Sequence, residues 1–314
     1  MKSENSTQIE KSDKSSGTMQ FTPLSPSFGV EVRGLNISEA LSEPVKATLK
    51  QALFQHQVLL IRQQRLDEEQ QVRFAHIFGT CRRMWQIAHY PSHNEFTHYL
   101  SNVDREGKPV GHHPDIDSTY WHSDGSWSRH PARATVLNAL RVPAGEGNTH
   151  FANLYQMYES LDPSSRARLE KLKAEHHVEL SRAARYGRLP SQWWQAGPDR
   201  KPVATQLKWW AKVLKRRWRE GAVYHPVVRS HPETGRAGLF IGDHAWRIAG
   251  RFWPTGIRLM KAINNMKFDP AAVYIHEWQK DDLLIWDNGS VLHRVGGYDI
   301  ENQVRIMRRC VVLE

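Results

Sequence analysis

Residues 120–127 read YWHSDGSW, and this short stretch places His122 two positions before Asp124. The aromatic residues that flank the pair favour an extended chain, and in a strand residues i and i+2 point to the same face. His122 and Asp124 are therefore expected to present an imidazole and a carboxylate to the same point. Two such groups can bind one metal ion.

The chain contains five His-x-Asp/Glu pairs, and the local sequence distinguishes them. Proline between the two residues indicates a loop for HPD (113–115) and HPE (231–233). HNE (93–95) follows a Pro-Ser dipeptide and is also loop-like. HVE (177–179) lies at the end of a helical pattern, where residues two apart point away from each other. Only HSD (122–124) is expected to bind a metal.

A third ligand must come from elsewhere in the chain, because the 2-His-1-carboxylate triad of non-haem iron enzymes needs a second histidine. His293 ends the segment DDLLIWDNGSVLH (281–293), an apolar strand that turns at Asn288-Gly289. His276 and His244 are the alternatives. Neither is followed by a cationic strand, whereas VRIMRR (304–309) follows His293.

Two arginines of this cationic strand share one face. Arg305 and Arg309 are four residues apart, and alternate residues of a strand point to the same side. Both guanidinium groups are therefore expected to point toward the metal cavity.

The bulk composition limits the class of protein. A chain of 314 residues with 39% hydrophobic content can bury a core as one large domain or two small ones. Cys81 and Cys310 show no disulfide pattern, so we expect buried thiols and a reducing compartment. The first residues lack a secretory signal, and no apolar run approaches the roughly 20 residues that cross a bilayer. We expect a cytoplasmic protein in which residues 1–20 form a flexible tail.

Local patterns predict a β-rich domain with helices at its margins. A helix and a buried strand are expected at VKATLKQALFQHQ (45–57) and VLLIRQQ (58–64). Asp67 and Gln70 form a capping-box pair at the start of the next helix. Asp162-Pro163 opens a helix that the pattern extends through SSRARLEKLKAEHH (164–177). From residue 223 onward the sequence predicts mostly short strands.

Residues 181–222 are rich in tryptophan and positive charge, in a chain whose formal net charge is +10. On a helix, Trp210, Leu214 and Trp218 would form one apolar stripe beside several lysines and arginines. Such a helix fits a membrane surface, an acidic partner or single-stranded nucleic acid. It also fits a helix that covers the domain and keeps its basic face in water. The sequence leaves these alternatives open.

With these motifs in this order, the chain resembles the taurine dioxygenase (TauD/TfdA) family of non-haem iron, 2-oxoglutarate-dependent dioxygenases. The resemblance covers about residues 25–314 and leaves the segment 181–222 as an expansion. Five further segments carry it: GVEVRGLN (29–36), EEQQVRFAHIFG (68–79), PAGEGNTHFAN (143–153), HPVVRSHPETGRAGLFIGD (225–243) and IWDN (285–288). Glu146 and Asn148 depart from the GGDT that the family usually shows.

The resemblance implies an α+β fold with a mostly β core. This core is a double-stranded β-helix, a jelly-roll or cupin-like barrel with flanking helices, over residues 21–314. The family's metal ligands fall on His122, Asp124 and His293, which implies that these residues bind Fe(II). Arg305 and Thr149 match the residues that bind the far carboxylate of 2-oxoglutarate in the family.

Arg309 has two interpretations. In the taurine enzymes that the chain resembles, the matching arginine holds the anionic group of the substrate. Alternatively, Arg309 forms a structural ion pair or supports the 2-oxoglutarate carboxylate. The resemblance implies a substrate site at Arg309, and the residues alone do not decide between these roles.

The implied activity is oxidation of a small or medium anionic organic molecule with O2, Fe(II) and 2-oxoglutarate, releasing succinate and CO2. Hydroxylation is expected, with cleavage where the hydroxylated carbon bears a heteroatom. Two alternatives are a basic, aromatic surface-binding protein on the same barrel and a catalytically inactive barrel used for interaction. Intact ligand and arginine positions argue against the second. Nucleic acid is not an expected partner, and a homo-oligomer is left open.

Overall fold

The structure is a computed structural model that describes residues 19–84, 92–112, 116–185, 203–266 and 268–313. These ranges contain the following β-strands: β1 (Gln20–Pro23), β2 (Val30–Arg33), β3 (Val58–Ile61), β4 (His98–Ser101), β5 (Ala132–Arg141), β6 (Thr149–Asn153), β7 (Lys173–His176), β8 (Val223–Pro226), β9 (Val228–Ser230), β10 (Ala237–Leu239), β11 (Ala245–Ile248), β12 (Val273–His276), β13 (Leu283–Asp287), β14 (Val291–Val295) and β15 (Ile306–Leu313). They also contain the following α-helices: α1 (Glu43–His56), α2 (Glu68–Ala75), α3 (Leu154–Glu159), α4 (Pro163–Leu169), α5 (Val178–Arg185), α6 (Val203–Glu220) and α7 (Trp253–Asn264).

The largest sheet has seven strands in the order β1-β2-β3-β13-β5-β15-β4. Its neighbours pair antiparallel except β2 and β3, which are parallel. Side chains alternate between the two faces of each strand. On β13, Leu283 and Ile285 pack in the cluster that includes residues of α1 and α2, while Leu284 and Trp286 pack in the cluster of the opposite face. This alternation separates an outer, helix-covered face from an inner face.

A three-stranded sheet, β12-β6-β14, faces the inner side of the large sheet. Phe151 of β6 and Val291 of β14 are fully buried against Leu60 and Trp286 of the large sheet. Two facing antiparallel sheets around one apolar core are the arrangement of a jelly-roll barrel, as expected from the sequence. The outer face of the small sheet is covered by α3, α4, α7 and the sheet β11-β7-β8.

Most predicted elements are present, and the second helix begins as its motif predicts. The Asp67 side chain accepts from the Gln70 backbone N–H at 2.7 Å, and the Gln70 side chain accepts from the Asp67 N–H at 2.9 Å.

Both cysteines are free and buried, and burial raises the pKa of the Cys81 thiol to about 11. The thiols are therefore inert core groups, as the sequence predicted.

One helix prediction was wrong in its extent. Helix α4 ends at Leu169, and KAEH (173–176) forms strand β7, which pairs with both β8 and β11. HVE (177–179) consequently lies at the start of α5 and not at the end of a helix. Lysine, alanine and glutamate are favourable residues in helices, but Ala174, Glu175 and His176 are buried on a strand between two neighbouring strands. Tertiary pairing therefore overrides the local helical pattern.

Helix α6 confirms the helix predicted in the tryptophan-rich segment, and only one end of the predicted stripe is buried. Trp210 is buried (4% exposed) and packs with Trp246, whereas Leu214 and Trp218 are 39% and 90% exposed. Arg217 pairs with the fully buried Glu175, with Nε 2.5 Å from Oε1. The helix thus covers the domain and holds its other basic residues in water.

The N-terminal boundary lies close to the expected one. Strand β1 begins at Gln20 and pairs with β2, so the predicted tail, residues 1–20, overlaps this strand at its last position. Residues 1–18 lie outside the part that the structure describes. None of the helices in the described ranges combines the length and apolar character needed to cross a bilayer.

A matched pair of isoleucine substitutions tests the packing of the barrel. Ile285→Ala on β13 removes a fully buried side chain and is expected to lower the free energy of unfolding by about 2–5 kcal/mol. Ile275→Ala on β12, where the side chain is 48% exposed, should change it by less than about 1 kcal/mol. Equilibrium urea denaturation measures both values. Equal losses in the two variants would contradict the assignment of faces.

Candidate active site

His122 and His293 are joined through their backbones. The His122 N–H donates to the His293 carbonyl at 3.0 Å, and the His293 N–H donates to the His122 carbonyl at 2.8 Å. This isolated bridge replaces the strand that the sequence predicted around His122, because the chain turns directly afterward. Gly125 has φ +68°, and a Cβ there would lie 2.9 Å from the Ala132 nitrogen. The turn therefore depends on glycine.

The bridge and the turn bring together the three residues predicted as metal ligands. His122, Asp124 and His293 are 6%, 5% and 6% exposed, and their candidate ligand atoms all lie within 4.8 Å of one another. The carboxylate lies close to both rings: His122 Nε2 is 3.8 Å from Oδ1, and His293 Nε2 is 3.7 Å from Oδ2. Two imidazoles and one carboxylate on one side of a cavity suit Fe(II).

The orientation of each ring leaves Nε2 available. His122 Nδ1 lies 2.8 Å from the Tyr120 carbonyl, which can only accept, so Nδ1 carries the hydrogen and Nε2 a free lone pair. The His293 ring packs between Trp286 and Phe151, with ring centroids 4.7 and 6.2 Å away. Packing, together with the backbone bridge, fixes this second ring.

A buried polar network holds the Asp124 carboxylate. Thr135 Oγ1 donates to Asp124 Oδ2 at 2.7 Å, and Asn288 Nδ2 donates to Thr135 Oγ1 at 3.0 Å. Asn288 Oδ1 accepts from Trp286 Nε1 at 3.0 Å and from the Asp124 N–H at 3.2 Å. Sequence reasoning treated Asn288 only as a turn residue and missed Thr135. Both roles depend on contacts across strands, which no local pattern shows.

The charges in the cluster favour metal-binding protonation states. Burial alone would raise the pKa of Asp124, but Arg309, the two histidines and the Thr135 hydroxyl together hold it well below its usual value. Burial lowers the pKa of His293 well below its usual value. A carboxylate and a neutral imidazole are the forms that bind metals. The residues present therefore fit a divalent metal.

The rival histidines have other partners. His276 lies on β12, where Nδ1 is 2.9 Å from the Tyr274 hydroxyl and Nε2 is 3.2 Å from Asp282. The His244 ring lies 5.9 Å from that of His122 and outside the cluster of ligand atoms. The other His-x-acid pairs also fail to reach the cluster where they are described, and HPD (113–115) lies outside the described residues.

Arg308 and Arg309 point to opposite faces of the large sheet. Arg309 NH1 lies 3.3 Å from Asp124 Oδ1, whereas Arg308 donates to the Gln71 side chain on the outer face at 2.6 Å. The ion pair considered as an alternative for Arg309 is therefore present. Its Nε is buried and makes no hydrogen bond with any described residue.

Arg305, which precedes β15, is a buried cation without a described carboxylate partner. Its Nε donates to the Gly147 carbonyl at 3.2 Å, and its backbone N–H donates to Asn102 Oδ1 at 2.8 Å. Burial lowers its pKa to about 10, so the group is charged at neutral pH. Gly147 has φ +66°, and a Cβ there would lie 3.2 Å from Arg305 Cδ. A buried, uncompensated guanidinium fits an anionic ligand.

Thr149 begins β6 and lies between the histidine-bearing strands, paired with His276 on one side and Val295 on the other. Its hydroxyl accepts a hydrogen bond from Trp278 Nε1 at 3.0 Å, and both side chains are buried. No local sequence pattern indicated a role for Trp278. Glu146, which departs from the family pattern, is exposed and accepts from the Asp299 N–H at 3.0 Å, away from the three ligands.

Comparisons with known proteins agree on one family. Residues 20–311 match the model of the "Taurine catabolism dioxygenase TauD, TfdA family". The chain belongs to this family. The match spans nearly the whole chain and confirms the resemblance inferred from the motifs.

Two curated relatives illustrate the similarity. The chain is 29% identical over 310 residues to an alpha-ketoglutarate-dependent 2,4-dichlorophenoxyacetate dioxygenase of Cupriavidus pinatubonensis, covering 93% of this chain and 96% of the relative. It is 28% identical over 294 residues to an alpha-ketoglutarate-dependent sulfate ester dioxygenase of Pseudomonas putida, covering 91% and 87%.

A solved structure confirms the fold. The structure of AAD-2 in complex with Mn(II) and N-oxalylglycine matches with a TM-score of 0.73 and 29% identity, covering 94% of this chain and 98% of that one. The double-stranded β-helix with flanking helices is thus correct. This member of the TauD/TfdA family is a non-haem Fe(II)- and 2-oxoglutarate-dependent dioxygenase that uses O2. The comparisons do not support a function limited to binding.

Removal of Asn288 tests the network that holds Asp124. Asn288→Ala leaves the buried Trp286 Nε1–H and Asp124 N–H without an acceptor, so we expect a loss of about 2–5 kcal/mol in unfolding free energy without added metal. Asn265→Ala, at an exposed position after α7, is the matched control and should cost less than about 1 kcal/mol. Denaturant titration compares the two. An Asn288 variant as stable as the control would disprove the network.

Proposed function

We propose that His122, Asp124 and His293 bind the catalytic Fe(II). The observation that supports this most directly is the convergence of three buried ligand atoms within 4.8 Å, where one carboxylate lies close to two histidine Nε2 atoms. The donor set also matches the facial triad of non-haem Fe(II) oxygenases. Because Asp124 is held by Thr135 and Asn288, the carboxylate is already oriented before a metal binds.

We further propose that Arg305 and Thr149 bind the far carboxylate of 2-oxoglutarate. Arg305 supplies a buried positive charge, and its guanidinium can donate two parallel hydrogen bonds to a carboxylate. Thr149 supplies a hydroxyl on β6, the strand that pairs through Phe151 with His293. Buried surroundings strengthen these charge-assisted bonds because water does not compete for them.

The substrate that we propose is a small or medium organic anion whose charged group binds Arg309. The curated relatives named above act on 2,4-dichlorophenoxyacetate and on sulfate esters, and both substrate types carry an anionic group and a carbon-bound oxygen. Arg309 lies beside Asp124 and has a buried Nε free of described partners. Its guanidinium can therefore hold an anion close to the metal ligands.

When bound, Fe(II) and 2-oxoglutarate would activate O2 for oxidation of the substrate. Succinate and CO2 are the other products. The chain's own residues orient the reactants and exclude water. Arg305 just before β15 and Arg309 on it supply two separate guanidinium groups, so they can hold two anions in a fixed relation to each other.

Oxygenation at a carbon attached to oxygen would also break a bond. Replacing C–H by C–OH at an ether or sulfate-ester carbon gives an adduct that collapses to a carbonyl compound and an alcohol, phenol or sulfate. Halogenation is not proposed, because a halogenase of this type needs the carboxylate's coordination position for the halide, and Asp124 occupies that position in the cluster.

Alanine variants test the three ligands. His122→Ala, Asp124→Ala or His293→Ala should abolish stoichiometric Fe(II) binding, because two ligands are too few to hold the ion tightly. His244→Ala is the control, since its ring lies nearby but outside the cluster. Anaerobic equilibrium dialysis followed by metal analysis gives the occupancy. Full occupancy in the His293 variant, or equal loss in the His244 variant, would refute the assignment.

The two arginines can be separated by matched variants. Arg305→Ala should weaken 2-oxoglutarate binding by tens-fold or more, because a buried charge-assisted interaction is lost. Arg309→Ala should mainly raise the KM for an anionic substrate, identified by screening small acids and sulfate esters for stimulated succinate formation. Each variant serves as the control for the other. The roles are wrong if Arg309→Ala loses 2-oxoglutarate first, or if the preferred substrate is neutral or cationic.

A further inference from the structure

Among the described residues, the hydrogen bond to the Thr149 side chain comes from Trp278. The indole follows β12, is 6% exposed and lies in the apolar core between the two facing sheets. Its Nε1–H donates to Thr149 Oγ1 at 3.0 Å. A buried indole N–H requires an acceptor, and this one uses the hydroxyl proposed to bind 2-oxoglutarate.

The donors and acceptors of the two side chains show how this hydrogen bond affects the Thr149 hydroxyl. A threonine hydroxyl has one hydrogen to donate and two lone pairs to accept with, whereas an indole can only donate. Trp278 therefore occupies a lone pair and leaves the Thr149 hydrogen available for an acceptor. A hydroxyl that already accepts a hydrogen bond is also a stronger donor.

The indole is itself held in a fixed orientation. The His276 ring contacts it edge to face, with centroids 4.5 Å apart and planes at 89°. His276 is fully buried and bonded through Nδ1 to the Tyr274 hydroxyl, and Asp282 lies 3.2 Å from Nε2. Packing thus fixes Trp278, and Trp278 in turn limits the rotation of the Thr149 hydroxyl.

We propose that Trp278 is a positioning residue for the cosubstrate: its indole N–H aims the Thr149 hydroxyl at the far carboxylate of 2-oxoglutarate. The proposal rests on the assignment of Arg305 and Thr149 to this carboxylate. The proposal adds that Trp278, a residue of the barrel core, contributes to the selectivity of Arg305 and Thr149 for a dicarboxylate. Trp278 does so without contacting the ligand itself.

A double-mutant cycle on the Mn(II)-loaded protein tests this without turnover. Isothermal titration calorimetry measures 2-oxoglutarate binding to the wild type, Trp278→Phe, Thr149→Val and the double variant. Thr149→Val should weaken binding about 10-fold, and Trp278→Phe about 3- to 10-fold. Because Trp278 acts through Thr149, adding Trp278→Phe to the Thr149→Val protein should have little further effect.

Two controls separate positioning from a general effect on the core. Trp246→Phe also removes a buried indole N–H, but one without a hydrogen-bond partner among the described residues, and it should leave 2-oxoglutarate binding unchanged. Binding of 2-oxopentanoate, which lacks the far carboxylate, should be the same in the Trp278→Phe and wild-type proteins. Trp278→Tyr repeats the test if the phenylalanine variant does not fold.

The outcomes are distinguishable. Additive effects of the two substitutions, or wild-type affinity in Trp278→Phe, would overturn the role of Trp278 while leaving Thr149 in place. Unchanged affinity in both Thr149→Val and Arg305→Gln would instead overturn the cosubstrate site itself, and the inference with it. Weaker binding of 2-oxopentanoate in Trp278→Phe would show that the effect is general to the site, and would also refute the proposal.

Discussion

Two backbone hydrogen bonds join His122 to His293, and the geometry of the active site depends on them. His122 lies on a loop, whereas His293 lies on β14 of the small sheet, so neither segment alone determines the distance between the rings. The bridge fixes that distance, and the turn at Gly125 brings the Asp124 carboxylate close to both Nε2 atoms. One backbone contact and one tight turn thereby bring together the three side chains that a metal site of this kind requires.

The alternation of β15 places the surrounding charges. Arg309 faces the interior beside Asp124, whereas Arg308 faces the helix-covered side and bonds to Gln71. Arg305, before the strand, lies on the inner side and has no described carboxylate partner. The interior therefore holds more positive charge than its own carboxylate neutralises. A bound divalent metal would add to this excess, which favours anionic ligands such as 2-oxoglutarate.

The sequence predicted that His122, Asp124 and His293 come together, and it predicted the capping box of α2 and most strands, because each depends on local periodicity or on a motif with defined chemistry. It failed where distant partners decide the structure. KAEH (173–176) contains good helix formers but is a strand, since β8 and β11 pair with it on both sides. Trp210 is buried while Trp218 is exposed, because only the first faces the domain. Thr135, Asn288 and Trp278 act through cross-strand hydrogen bonds that no spacing rule reveals.

A crystal structure of the protein with Mn(II) and 2-oxoglutarate, grown without O2, tests the central claim most directly. It should show one metal ion bound by His122, Asp124 and His293, with the far carboxylate of 2-oxoglutarate on Arg305 and Thr149. A metal bound elsewhere, or a far carboxylate held by Arg309 in place of Arg305, would contradict the site proposed here.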